Sequence, residues 1–106
     1  TMNDITESEA IGRIFGERGR TIPVSSTKPI HGHALGASGA LELVCAINAI
    51  RDNVAPPTIN WQEPDPKCPV DCIPNEAREM RIDTVMSNSF AFGGINAVLV
   101  LRRHAA

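Results

Sequence analysis

Apolar and polar positions alternate with different periods along the chain, and those periods mark out the elements. In Thr6-Glu-Ser-Glu-Ala-Ile-Gly-Arg-Ile-Phe-Gly16, Ala10, Ile11, Ile14 and Phe15 share one helical face, Thr6 is a candidate N-cap, and Glu7 and Glu9 lie in the first turn. This pattern predicts a short amphipathic helix. Thr21-Ile-Pro-Val-Ser-Ser26 reads as a short strand, weakened in its first half by Pro23. From Leu35 to about Arg51, Leu41, Val44, Cys45, Ile47 and Ile50 join the alanines in covering most of a helix circumference, which predicts a buried helix stopped by Arg51-Asp-Asn53. Asn53 to about Arg81 carries Pro56, Pro57, Pro64, Pro66, Pro69 and Pro74 and no sustained period. An ordered loop is expected there, with a short strand at Thr58-Ile-Asn60. Loops of that length are uncommon unless they are functional or wrapped over a larger body. Asp83–Ser89 and Ala97–Leu101 read as strands on either side of the turn Phe90-Ala-Phe-Gly-Gly-Ile-Asn96. The last is continuously apolar and calls for cover on both faces. Two or three helices supply too few layers for that, and no internal repeat or low-complexity tract adds more.

Composition narrows the class. A chain of 106 residues fits one small domain, which buries roughly two-thirds of the surface exposed on unfolding. With 42% hydrophobic residues and a formal charge of -2, it is an ordinary globular chain rather than a disordered one. It has no basic excess to suit a nucleic-acid partner. No apolar run approaches the roughly 20 residues that span a bilayer, and Thr1-Met-Asn-Asp4 lacks the basic and apolar regions of a signal peptide, so no membrane partner is expected and the cytoplasm is the default location. Cys45, Cys68 and Cys72 are odd in number and form no disulfide framework. Cys45 reads as a small core residue. Cys68-Pro-Val-Asp-Cys72 lacks a second ligand pair at zinc-like spacing. Neither a metal nor an organic cofactor is expected.

The candidate chemistry crowds into Ser25-Ser-Thr-Lys-Pro-Ile-His-Gly-His-Ala-Leu-Gly-Ala-Ser-Gly-Ala40, between the predicted strand and the apolar helix. Lys28, His31 and His33 supply donors, while Gly32, Gly36 and Gly39 permit sharp turns and close backbone approach. Pro29 is expected to keep a helix from running through the loop and to bias Lys28 towards an extended conformation. The helix would then begin near Leu35 or Gly36, leaving His33 just ahead of it. There, free N–H groups and the helix dipole favour a neutral imidazole or a bound anion. Two readings stand on the residues alone. His33 donates a hydrogen bond to a developing oxyanion, or both histidines merely bond nearby carbonyls in a Gly-rich turn.

Thr27-Lys28-Pro-Ile-His-Gly-His33-Ala-Leu-Gly-Ala-Ser-Gly-Ala40 resembles the T-K-x-x-x-G-H-x-L-G-A-x-G-A segment of the β-ketoacyl-acyl-carrier-protein synthases, the elongating condensing enzymes of fatty acid and polyketide synthesis. Asn88-Ser-Phe-Ala-Phe-Gly-Gly-Ile-Asn96 is similar to that family's N-S-F-G-F-G-G-x-N segment. The resemblance covers nearly the whole chain. It implies an α/β fold, the C-terminal part of a thiolase-like layered α/β/α/β/α body with a mixed sheet flanked by helices. The resulting expectation is that residues 1–106 are the C-terminal ketoacyl-synthase portion of a larger chain whose N-terminal half is absent here.

In that family an active-site cysteine carries the acyl chain. Two histidines assist decarboxylation of the malonyl carrier protein and stabilise the enolate, which attacks the acyl thioester. The implied partners are an acyl carrier protein and the missing half of the same enzyme. Family members are usually homodimers. His33 matches the second histidine and Lys28 the lysine that helps order the site. Asp4 and Glu7 match acids of a T-P-x-x-D-x-x-E stretch, and Glu7 is the implied ion partner of Lys28. A cation there would keep the His33 ring neutral. Phe92 matches the residue whose N–H completes the oxyanion hole and whose ring gates the acyl pocket. Phe90 belongs to the same loop, with Gly93 and Gly94 shaping it and Gly32 and Gly36 shaping the histidine turn.

There are departures. Met2 stands where Pro is frequent, His31 where Thr or Ser is commoner, and Ala91 and Ile95 replace Gly and Thr. No catalytic role is assigned to His31. The family's nucleophilic Cys and first His belong to sequence preceding Thr1, so this chain alone is expected to be inactive. A thiolase-type acyltransferase is a second reading, because Gly32-His33-x-Leu35-Gly-Ala-Ser-Gly-Ala40 also resembles its G-H-P-x-G-x-S-G-A segment. The lack of a late C-x-G-G-G turn favours the ketosynthase. A non-catalytic subunit that sets chain length is the third.

Overall fold

The computed structural model describes residues 2–91 and 93–104, with nothing assigned to the side chains of residues 2 and 3. The first amphipathic stretch forms helix α1 (Met2–Phe15). It starts ahead of Thr6, which is an interior position and not the expected cap; Asp4 is the acid in its first turn, where it suits the helix dipole. A 3-10 turn over Gly16–Arg20 follows. The predicted strand at Thr21–Ser26 does not form. That segment makes an isolated parallel bridge, Pro23 to Asp71, through one bond from the Val24 N–H to the Asp71 carbonyl at 2.7 Å. Pro23 has no N–H with which to extend the ladder.

The expectation that Pro29 keeps helix out of the central loop is also corrected. Lys28–His31 form a one-turn helix, α2, with Pro29 in its opening positions, where a missing N–H costs nothing. Gly32 ends it at φ 80°, a left-handed backbone that glycine adopts without strain. A 3-10 turn at Leu35–Ala37 then leads into the long helix, α3 (Ser38–Asp52), which begins later than the predicted Leu35 or Gly36.

Helix α3 buries Ala46, Ala49 and Ile50, spaced to share one face, and lies mainly against strand β3 (Thr84–Ala91). Its other face is open. Leu41, Val44 and Ile47 are 40%, 55% and 47% exposed, so the helix is not covered all round as its composition suggested. The close backbone approach expected at Gly36 and Gly39 is not realised among the described residues either, since a β-carbon at either would meet none of them within 4 Å.

Asn53 caps α3 in the left-handed conformation, at φ 54°. The chain leaves through strand β1 (Val54–Ala55), which pairs antiparallel with β2 (Arg78–Glu79). This pairing closes the proline-rich loop at its base. Inside the loop the Asn75 side chain accepts from the Trp61 N–H at 3.0 Å and donates to the Trp61 carbonyl at 2.9 Å. Ile73 is buried to 2% exposure. The expected strand at Thr58–Asn60 reduces to one parallel bridge between Thr58 and Pro74.

Strand β3 pairs antiparallel with β4 (Ile95–Arg102), running in register from Thr84↔Arg102 to Ala91↔Ile95. The cover expected on both faces of β4 is absent within the described residues: Ile95, Val98, Leu99 and Val100 are all more than half exposed. A two-stranded hairpin with one helix against it has only one face to hide.

Two polar contacts hold the parts together. Arg103 donates to the Ile50 carbonyl, to Asn53 Oδ1 at 2.7 Å and to the Ile82 carbonyl at 3.1 Å. Replacing it with Met should cost about 1.5–3 kcal/mol, the usual worth of hydrogen bonds to a charged group, as a lowered urea midpoint. Asp71 forms a two-pronged pair with Arg78, which holds its carboxyl below the usual carboxylate range. A depressed folded-state value gives stability that is present above the unfolded value of about 3.9 and lost as pH falls through the folded one. Asp71→Asn should therefore lower stability near neutrality and narrow its difference from wild type in acid, read as urea midpoints across the acid limb.

Candidate active site

The two histidines of the central loop sit two residues apart yet are wired oppositely. His31 Nδ1 lies 2.8 Å from the Gly32 carbonyl, which can only accept, so Nδ1 carries a proton; Nε2 lies 2.7 Å from Thr27 Oγ1. Both its nitrogens are spent within its own turn. At His33 the Leu35 backbone N–H, which can only donate, points at Nδ1 from 3.2 Å. Ser38 Oγ lies 2.7 Å from the same nitrogen. Nδ1 is therefore the acceptor, Ser38 donates its hydroxyl proton to it, and the ring proton sits on Nε2. His33 is exposed at the surface of this chain, and among the described residues its bonds fall on Nδ1, which leaves the Nε2–H as a donor.

The turn that achieves this is strained. Leu35 has φ 51°, a left-handed conformation that costs a residue with a β-carbon roughly 1–2 kcal/mol. The residues just before it present the Leu35 N–H to the ring.

Lys28 does not pair with Glu7. Its ammonium donates to Glu42 on α3, whose side chain is 15% exposed against 39% for Lys28. The partly buried Glu7 feels Lys28 only weakly. Burial raises its carboxyl above the ordinary value, the neighbouring Asp4 carboxylate adds to this, and Lys28 acts in the opposite sense. Lys28 is thus committed to Glu42, and the two hydrogen bonds to Nδ1 set the tautomer of His33.

Phe92 lies outside the described residues. Phe90 is 49% exposed near the end of β3, and Gly93 and Gly94 take φ of 86° and 81°, left-handed values that suit a tight turn into β4. Among the described residues no hydrogen bond joins this turn to the Lys28–Ser38 segment. Gly32 and Gly36 flank His33 on the other side. An open cleft of about 450 Å³ between α1, the following turn and Pro66–Val70 contains none of these groups. No cluster of three or more His, Cys, Asp or Glu suited to a metal occurs among the described residues. No helix there is long and apolar enough to cross a membrane.

Sequence reasoning missed Ser38 and Glu42. Each had a visible signal: Glu42 is the only charged residue of α3 before Arg51, and Ser38 the only hydroxyl in its opening turn. A charge on an apolar helix asks for a partner. A double-mutant cycle should show this directly: Lys28→Met with Glu42→Gln should give a coupling of about 0.5–3 kcal/mol in unfolding free energy, and Lys28→Met with Glu7→Gln less.

Residues 1–62 match the family model described as the C-terminal domain of β-ketoacyl synthases. The chain is 60% identical over 100 residues to the 3-oxoacyl-acyl-carrier-protein synthase 2 of Coxiella burnetii, a match covering 94% of this chain and 24% of that protein. Among solved structures it superimposes on a ketosynthase of a type II polyketide system, bound to its acyl-carrier protein and a hexaketide, with a TM-score of 0.89 and 41% identity over 93% of this chain and 24% of that one. A β-ketoacyl synthase from Burkholderia phymatum gives a TM-score of 0.85 and 49% identity over 95% of this chain and 24% of that one. The α/β fold is thus that of the ketosynthases. The chain spans about a quarter of the length of the curated relatives it matches.

Proposed function

This chain belongs to the β-ketoacyl synthase family, as its C-terminal domain, and from that premise we propose that the complete protein condenses an acyl thioester with a malonyl thioester, both delivered on an acyl carrier protein. The observation that carries this reading is the wiring of His33: Nδ1 is taken by Leu35 and Ser38, and Nε2–H is left to donate.

The chemistry needs such a donor. When the malonyl carboxylate leaves as carbon dioxide, its C–C bonding pair moves into the thioester and negative charge builds on the carbonyl oxygen. A preset N–H aimed at that oxygen stabilises the enolate as it forms. The enolate carbon then attacks the acyl thioester, the new C–C bond forms, and the thiolate that carried the acyl group departs. His33 supplies the N–H, with Lys28 and Glu42 fixing the turn that carries it. Phe92 would supply the oxyanion N–H for the acyl carbonyl, Phe90 and Phe92 would border the acyl pocket, and Gly32, Gly36, Gly93 and Gly94 shape the two turns.

The nucleophilic cysteine and the first histidine come from the remainder of the protein, preceding Thr1. The open apolar faces of α3 and β4 are where that remainder packs. Acyl carrier protein is the partner by analogy with the solved ketosynthase complex, and a homodimer is the assembly by analogy with the family. His33 and Lys28 in place weigh against a purely non-catalytic, chain-length-setting role.

In the complete protein, His33→Ala should reduce condensation by about 10²–10³, the typical loss on removing one oxyanion donor. Acylation of the cysteine by acyl-carrier protein should be affected less. Separate assays of acyl transfer and of malonyl decarboxylation distinguish the two steps. Residues 1–106 alone should give no condensation product, and turnover by that piece would overturn the division of labour described here.

A further inference from the structure

We propose that Ser38 is a positioning residue that holds the His33 imidazole in its Nε2–H form. This rests on the reading of His33 as the donor to the developing enolate, and it names the group that sets the donor.

Three observations converge on the hydroxyl. Ser38 is 7% exposed, and a buried hydroxyl needs a partner. It is the first residue of α3, one place past the capping position at Ala37, so its hydroxyl is not engaged as a helix cap. The hydroxyl is turned onto His33 Nδ1 instead, at 2.7 Å.

The two donors to that nitrogen are unequal. The Leu35 N–H reaches it at 3.2 Å, at the long limit for N–H···N, and from a residue in a strained left-handed conformation. Ser38 is closer and comes from the first turn of the long helix, the more rigid support. If only the Leu35 amide remained, the ring could rotate or exchange its proton to Nδ1, and the nitrogen facing substrate would become an acceptor. An acceptor repels a developing oxyanion. The hydroxyl thus acts through His33 without touching substrate.

The test uses the complete protein with ¹⁵N-labelled histidine, His33→Gln serving only to assign the His33 signals. Wild type should show a pyridine-like Nδ1 and a pyrrole-like Nε2. Ser38→Ala should move both signals towards averaged values, corresponding to a roughly two- to tenfold loss in tautomer preference. Ser38→Thr, which keeps the hydroxyl, should restore the wild-type pattern where its circular dichroism matches wild type, and Ser38→Cys, a weaker donor, should fall between. In kinetics, Ser38→Ala should lower kcat for condensation by a similar factor with KM for malonyl-carrier protein unchanged. Wild-type signals with the proton on Nδ1, or signals unmoved in Ser38→Ala, would overturn the proposal. The nitrogen spectra report on the ring whether or not the protein condenses anything, so a protein with the expected spectra but no condensation would sink the functional reading and leave the role of Ser38 standing.

Discussion

The guanidinium of Arg103 is the fastening on which the geometry of the site depends. It gathers three acceptors that belong to different parts of the chain: the Ile50 carbonyl near the end of α3, the Asn53 side chain at the cap, and the Ile82 carbonyl just ahead of β3. Asn53 adds a second tie, its Oδ1 accepting from the Ile82 N–H at 3.1 Å. The C-terminal end of α3 is thereby pinned to the hairpin, and a helix pinned at one end and packed along one face has a fixed axis. At its other end α3 carries Ser38 and, one turn further in, Glu42. Those two side chains orient His33 and anchor Lys28. The fastening at one end of the helix thus bears on the placement of the His33 ring and Lys28 at the other.

Contrast between the two histidines explains why a single turn can carry one inert ring and one available ring. His31 is closed on itself: a carbonyl beside it takes its Nδ1 proton and Thr27 occupies Nε2. His33 meets donors on Nδ1 and is obliged to present a proton on the other side. The difference arises from the backbone. Gly32, at φ 80°, turns its carbonyl towards His31, and the peptide joining Ala34 to Leu35 presents its N–H to His33. Residue type alone would have made the two equivalent.

What could be read in the sequence followed the physics of local pattern. The α1 helix, the long apolar helix, and two strands about a glycine turn all come from residues whose neighbours are close in sequence, and all appear, although the apolar face expected to hide α1 is open, with Ile14 76% and Phe15 39% exposed. The strand at Thr21–Ser26 failed because a strand is defined by its partner, and Asp71 supplies only one bond. The helix at Lys28–His31 is not legible from Pro29, which breaks a helix interior but is tolerated in the first turn. At the site, motif resemblance picked out His33 and Lys28, but it assigned Lys28 to Glu7. The partner it missed, Glu42, lies fourteen positions along. No periodicity encodes that separation; only the isolation of a carboxylate on an apolar helix hinted at it.

The uncovered apolar surface links stability to function. Leu41, Val44 and Ile47 on α3 and Val98, Leu99 and Val100 on β4 are each about half exposed or somewhat more or less. Full burial of such a side chain is worth roughly 1.5–3 kcal/mol relative to leaving it in water, so covering these six by half would contribute several kcal/mol, comparable with the whole net stability of a small domain. The same helix that exposes Leu41 and Val44 carries Ser38 and Glu42. Whatever packs on that face therefore stiffens the platform that orients His33, and the donor is best organised when the cover is in place. The packing that covers this face and the orientation of the His33 ring are therefore linked through a single helix.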